Sequence, residues 1–169
     1  YIESGTTSSA VDGGYVTFSS LVLVALIGVP QQLTFTATTA SGSFAVSTTT
    51  ALVVRHTDTA YFEVLAPVVS GNFQQGAVLP TQPKLQAFDR YGNPATSDNS
   101  TVVTASIGAG SLGAISGSAT AQASGGVVQF AGLAVTGSPG VNYTLRFNAN
   151  LGGAYFVDNP STLTLFKTA

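Results

Sequence analysis

The chain has no cysteine, no methionine and no tryptophan, and only 7% of its 169 residues are charged. Each shortage closes off a class of chemistry. Without cysteine there are no disulfides, no thiol nucleophile and no zinc–thiolate site. The five basic residues (Arg55, Lys84, Arg90, Arg146 and Lys167) against seven acidic ones leave a net charge of -2. That balance gives no basic surface for nucleic acid and no polybasic stretch for anionic lipid. Soluble domains ordinarily carry about 25% charged residues. Hydration here must therefore rest on the abundant Ser and Thr, on the backbone and on whatever sugar is attached. Long apolar runs are also missing. The longest, from Leu21 to Val29, falls well short of the about 20 residues a membrane-spanning helix needs. With no basic leader ahead of Tyr1, the chain reads as a processed chain or a fragment of a larger one.

What is present is a core-forming apolar fraction of 44%, enough to exclude wholesale disorder, and an internal repeat. Setting Ser4 on Ser116 aligns Gly13-Gly14 with Gly125-Gly126 and Val16 with Val128. Phe18 then falls on Phe130, Leu21 on Leu133 and Gly28-Val29 on Gly140-Val141. Further on, Leu33, Phe35, Ala37 and Phe44 meet Leu145, Phe147, Ala149 and Phe156. The register holds at a constant offset of 112 with 14 identities over 52 positions, and no gap. Glycines and alternating apolar residues do not keep one register that long by accident. A period of that length is the size of one β-sandwich domain. Residues 1–56 then read as the C-terminal half of one repeat, and residues 57–169 as a complete one.

Local patterning agrees with an all-β chain. Val16–Phe18, Leu33–Ala37 and Leu145–Ala149 alternate apolar and polar residues, and Lys84–Phe88, Thr101–Thr104 and Leu163–Phe166 alternate or run β-branched. Turn signals separate them at Ser70–Asn72, Tyr91–Pro94, Gly108–Gly110, Ser124–Gly126, Gly137–Gly140 and Asp158–Pro160. The aromatics Tyr61, Phe62, Phe88, Phe130, Phe147, Phe156 and Phe166 are expected in the core.

The segment Gln82–Pro94, with its Asp89-Arg90-Tyr91-Gly92-Asn93-Pro94 hairpin, resembles the bacterial immunoglobulin-like repeats of invasin- and intimin-type adhesins. It is also similar to a filamin-type repeat. Gly126–Leu133 and Tyr143–Phe147 continue the pattern. The resemblance covers residues 57–169 and, through the offset, residues 1–56. It implies tandem immunoglobulin-like Greek-key β-sandwich repeats of extracellular stalks, adhesins, surface layers or cell-surface appendages. That family offers no catalytic residues to carry over, so the expected role is non-enzymatic and without a cofactor.

The order second half, first half, second half leaves one half unmatched. Its inward face and sheet edges would stand open. Either upstream residues complete it, or strands from another chain do so as in donor-strand complementation. A second clue is the turn that is polar in one repeat, Thr136–Gly140, and apolar in the other, Val24–Gly28. Ala25, Leu26 and Ile27 are read either as a longer strand with local packing or as an interface with another domain or chain. Expected partners are copies of the chain or neighbouring repeats, and covalent glycans.

Two sequons, Asn99-Ser100-Thr101 and Asn142-Tyr143-Thr144, make Asn99 and Asn142 candidate glycosylation sites. The clusters Thr6–Ser9 and Ser47–Thr50 are either O-glycan acceptors or strand-edge hydroxyls. His56, the only histidine, stands at the repeat boundary and reads as a solvated linker residue. Asp89 reads as an Asx turn rather than a calcium ligand with Asp98 or Asp58, because calcium needs 6 to 8 oxygens. Tyr143, at the start of a late strand, occupies the place of the tyrosine corner of Greek-key sandwiches. The residues favour a structural repeat of a filament, flagellar hair, stalk or surface layer. An adhesin module and a noncatalytic accessory domain of a carbohydrate-active enzyme are the alternatives.

Overall fold

A computed structural model describes residues 1–109 and 112–167. All of its regular structure is β-strand. The chain divides into two compact units, Tyr1–Arg55 and His56–Ala169.

The second unit holds ten strands: β7 (Tyr61–Ala66), β8 (Gly71–Gln74), β9 (Lys84–Phe88), β10 (Val102–Ile107), β11 (Ala114–Gly117), β12 (Thr120–Ser124), β13 (Val127–Gln129), β14 (Leu133–Thr136), β15 (Asn142–Asn150) and β16 (Ala154–Phe166). Eight of them form one curled sheet in the order β7-β9-β13-β12-β10-β15-β16-β8, and β11 pairs with β14 apart from it. Alternation makes the strands face inward every second residue. In β15, Tyr143, Leu145 and Phe147 are buried, as are Leu85 and Ala87 in β9 and Val103 and Ala105 in β10. They join Phe62, Val128, Phe130, Leu133, Leu163 and Leu165 in one apolar cluster. The rings of Phe130 and Phe147 sit 5.3 Å apart at 39° in it.

Two side chains clasp β7 and the loop after it to β16. The Tyr155 hydroxyl accepts from the Phe62 N–H at 3.0 Å and donates to its carbonyl at 2.8 Å. Buried Asn159 accepts from Val68 N–H at 3.0 Å and donates back to the Val68 carbonyl at 2.9 Å. The expected turn at Asp158–Pro160 is therefore strand, inside β16. Proline is tolerated there because β8 joins β16 only from Leu163 to Phe166, so Pro160 faces no ladder on that side. Tyr143, 1% exposed, holds Ser138 through both backbone groups at 2.7 and 3.1 Å, as a tyrosine corner does. Gly137 leaves room for that hydroxyl, since a Cβ at this position would collide with it.

Four aromatics expected in the core lie outside it. Phe156 and Phe166 are exposed. Tyr61 and Phe88 are half-buried and stack on each other at 5.4 Å, Phe88 on the face of β9 opposite Leu85 and Ala87. Phe156 is on the outer face, opposite Asn148, where the Arg146 guanidinium covers its ring at 3.9 Å. The same guanidinium forks onto Asp158 at 2.7 and 2.9 Å. The pair holds the Asp158 carboxyl below the usual carboxylate range and raises Arg146 above its own.

The first unit has β1 (Ile2–Ser4), β2 (Val22–Leu23), β3 (Pro30–Gln31), β4 (Thr34–Thr39), β5 (Gly42–Ser47) and β6 (Leu52–Val53). They pair only two by two, as β1-β2, β3-β6 and β4-β5. None of the unit's residues with a described surface is buried. Val16–Phe18, expected as a strand, carries no regular structure; a single bridge, Asp12 with Tyr15, precedes it.

Candidate functional site: a groove beside β4 in the first unit

The offset seen in the sequence is also present in the backbone. Gly5, Gly13, Gly14, Ser20 and Gly28 have positive φ, and so do Gly117, Gly125, Gly126, Gly132 and Gly140, each 112 residues on. Ser20 is the one non-glycine among the described residues with φ above zero (56°), and it stands where Gly132 does (74°). Both Gly5 and Gly117 admit no side chain, because a Cβ would strike the carbonyl oxygen of Ser20 or of Gly132. The aromatic pair repeats as well. Phe18 and Phe35 sit 5.1 Å apart at 38°, against 5.3 Å and 39° for Phe130 and Phe147. The bridge Asp12–Tyr15 repeats the pair Ser124–Val127, and Ser4–Val22 repeats Ser116–Ala134.

By that offset the first unit matches the second from about Ser116 onward, and nothing in it corresponds to β7, β9 or β10. Phe62, Val68, Leu79, Leu85, Ala87, Ala95, Val103 and Ala105 supply the first-half side of the second unit's core. In the first unit the positions matched by the offset to residues of that core are exposed. Val16 is 43% exposed where Val128 is 0%, and Val11 is 68% exposed where Ala123 is 3%. The carbonyl of Ala95 lies 2.5 Å from a Cβ placed on Gly126, whereas a Cβ on Gly14 meets nothing within 4 Å.

One groove of the first unit lies at the place that corresponds, by the offset, to β10. In the second unit β10 runs between β12 and β15, pairing with both. The equivalents of β12 and β15 are the segment around Ser8–Asp12 and the stretch containing β4. Between them lies a groove of about 420 Å³, lined by Thr7, Ser9, Val11, Phe18, Phe35 and Val46 among others. A smaller hollow of about 100 Å³ is walled by Leu21, Leu33 and the same two phenylalanines.

A difference in register widens the apolar face. β15 and β16 are joined across Asn150–Ala154 by three residues, whereas β4 and β5 pair up to Thr39–Gly42 with only two between. Phe147 consequently faces Val157, but Phe35 faces Val46. A slip of one residue turns every side chain of a strand over. Phe44 and Val46, 62% and 67% exposed, therefore share the face of Phe35, whereas their counterparts Phe156 and Asp158 point outward. The opposite face carries hydroxyl pairs, Thr34 with Ser47 at 2.6 Å and Thr38 with Ser43 at 3.2 Å.

The other sequence candidates lie apart from this groove. Leu26, 72% exposed, heads the turn closed by the Val29 N–H on its carbonyl, with Ala25 and Ile27 half-buried beside it. Asn142 is exposed at the start of β15 and accepts from the Thr164 hydroxyl at 2.6 Å. Asn99 is exposed too. Its side-chain oxygen accepts from Gly125 N–H at 2.7 Å and its amide donates to the Ser97 carbonyl at 3.1 Å.

A polar cleft of about 550 Å³ in the second unit gathers His56, Thr59, Ser97, Asp98 and Asn150. Asp98 takes the Thr59 hydroxyl at 2.6 Å and the N–H groups of Ser100 and Thr101 at 3.0 Å. Burial alone would raise its pKa. These bonds outweigh burial and bring it down to about 2. His56 is not a solvated linker residue. It is half-buried, with Nδ1 on the Thr57 carbonyl at 2.9 Å and Nε2 accepting from Ser97 N–H at 3.1 Å. Asp89 makes the expected Asx turn, accepting from the N–H groups of Tyr91 and Asn93 at 2.9 Å, and it also anchors Thr57 at 3.1 Å. Burial pushes its pKa up, but these backbone bonds prevail and hold it below the usual range. Among the described residues no three His, Cys, Asp or Glu side chains converge as metal ligands.

No protein-family model matches the chain. No curated protein matches it either. Among solved structures, a β-glucuronidase of Parabacteroides merdae with glycerol in its active site aligns at 14% identity and a TM-score of 0.39. The alignment covers 75% of this chain and 16% of that one, a likeness too slight to bear on fold detail or activity.

Proposed function

We propose that the chain is a non-enzymatic structural repeat of an extracellular filament, flagellar hair, stalk or surface layer, built from tandem immunoglobulin-like β-sandwiches. Residues 1–56 are the C-terminal half of one repeat and are completed from outside these residues. The observation that carries the reading is the contrast between the units. The same scaffold is closed and dry in the second unit, and open in the first, where Val11, Val16, Phe44 and Val46 are exposed. Soluble surfaces rarely keep so large an apolar patch free, and joining repeats through it gives a continuous load-bearing β-sandwich. The Tyr143 corner supports the immunoglobulin-like assignment. Exposed Leu26, with Ala25 and Ile27, supplies a second apolar contact, and glycans on Asn99 and Asn142 supply the hydration that 7% charge does not. Electron microscopy of the purified native protein tests this. Ordered fibres or sheets with the first unit at the joint are expected, and a monomer under all conditions would count against it.

An adhesin module binding a cell-surface protein or glycan is the second reading. It draws on the cleft around Asp98, whose lining is mostly hydroxyl, carboxylate and amide. A monomer that retains a glycan or protein partner, and loses it when Thr59→Val closes off that lining, would favour it.

A further inference from the structure

We infer that the groove beside β4 is a strand-acceptor slot. It takes one antiparallel strand with the chemistry of Val102–Ile107, contributed by the first half of a neighbouring repeat. This rests on the filament reading and names the segment that makes the joint.

The slot is defined on both walls. Thr48 N–H donates to the Leu33 carbonyl at 2.8 Å, so Leu33, Phe35 and Ala37 spend their backbone groups on the β5 side. Antiparallel alternation then directs those of Thr34 and Thr36 to the other edge. The equivalent residues in the second unit are Arg146 and Asn148, and they stand opposite Ser106 and Thr104 of β10. Gly108 N–H donates to the Thr144 carbonyl at 2.8 Å in the same ladder, which fixes its phase. On the other wall, β10 pairs Val103 with Ala121 and Thr104 with Thr120, the counterparts of Ser9 and Ser8. The groove is lined by residues from both walls, Ser8 and Ser9 on one side and Phe35 to Thr39 on the other.

The repeat also sets register and side-chain size. Val103 pairs with Ala149, Ala105 with Phe147 and Ile107 with Leu145. The incoming strand therefore places a small apolar residue opposite Phe35, a β-branched one opposite Ala37 and a larger one opposite Leu33. Val103 and Ala105 are fully buried in β10, so a charge at either inward position has no solvent to reach. A second copy of residues 1–169 is not the source. Its own β10 already fills the slot between its β12 and β15, and lending it would open an equal gap there.

The probe is a synthetic peptide of sequence Thr101–Gly108, added to the isotopically labelled full chain. A matching peptide carries Val103→Asp and Ala105→Asp. The expected result is 1:1 binding of the first peptide. Amide exchange at Thr34 and Thr36 should slow by about a hundredfold, as for edge amides entering a ladder. Resonances of Phe18 and Phe35 should shift, and β7 and β9 should be unchanged. The doubly charged peptide should leave all of these unmoved. Absence of protection at Thr34 and Thr36, or equal binding of both peptides, overturns the inference. The two readings fail separately. Native fibres in which those amides still exchange freely leave the filament standing without this slot. Peptide capture by a chain whose native form is monomeric keeps the slot and removes the filament.

Discussion

The pair Phe18 and Phe130 offers a comparison made within one molecule. Both rings meet a second phenylalanine at nearly the same distance and tilt, and they differ in what covers them. Phe130 is 1% exposed, inside a closed core. Truncating a buried phenylalanine to alanine removes its transfer free energy and leaves a cavity, about 3–5 kcal/mol together. That is a large share of the roughly 5–15 kcal/mol that holds a domain folded. Phe18 is only half-buried and borders an existing groove, so Phe18→Ala forfeits part of the transfer energy and creates little new cavity. In the isolated chain it should cost about 1 kcal/mol. The assay is urea unfolding followed by resonances assigned to each unit, which separates the two transitions. Phe130→Ala should lower the second unit's midpoint steeply, and Phe18→Ala should barely move that of the first. If, as proposed, a strand fills the slot in an assembly, the two costs should converge there. Equal losses of 3–5 kcal/mol in the isolated chain would mean that the first unit closes its own core, and the reasoning would be wrong.

Gly126→Ala should destabilise the second unit by several kcal/mol, since the new Cβ meets the Ala95 carbonyl at 2.5 Å in addition to the positive-φ strain. Gly14→Ala, with nothing within 4 Å, should cost only the strain of about 1 kcal/mol, as read by the same unfolding curves. The Asp98 carboxyl titrates at about 2 in the folded chain, below its ordinary 3.8. Its contribution is therefore complete above about pH 4 and fades as pH falls toward about 2. Allowing for solvent screening, it amounts to about 1 kcal/mol, and Asp98→Asn should flatten the urea midpoint across that window. Leu26→Asp with Ile27→Asp should weaken assembly and leave the isolated chain folded. Unchanged fibre formation would show that this turn is not a contact. Peptide mass mapping of material from a glycosylating host should find sugar on Asn99 and Asn142, both exposed.

Much of the scaffold is legible in the sequence. The glycines aligned at offset 112, Gly13, Gly14 and Gly28 with Gly125, Gly126 and Gly140, all stand at positive φ in the structure. Lys84–Phe88 is a strand with the bounds expected, and Asp89 makes its Asx turn. What escaped the reading depends on partners distant in sequence. Asp158–Pro160 looks like a turn by composition, yet Asn159 is drawn into β16 by its clasp on Val68. Phe156 looks like core, but a three-residue loop sets a register that sends it outward beneath Arg146. In the first unit a two-residue loop reverses that choice for Phe44, and no local pattern reports the loop's register. His56 looked like linker because Ser97, its partner at 3.1 Å, lies 41 residues away. Val16–Phe18 has a strand's alternation without being one, since a strand also needs a neighbour to pair with.

On the proposed reading, the first unit is an open half-sandwich closed by a strand from outside residues 1–169. A density map of the native assembly, resolved well enough to trace strands, addresses it most directly. It should show an extended segment running antiparallel to β4, between β4 and the segment around Ser8–Asp12, with a small side chain over Phe35. A map in which that edge of β4 faces solvent, with the Thr34 and Thr36 backbone groups bonded only to water, would contradict it.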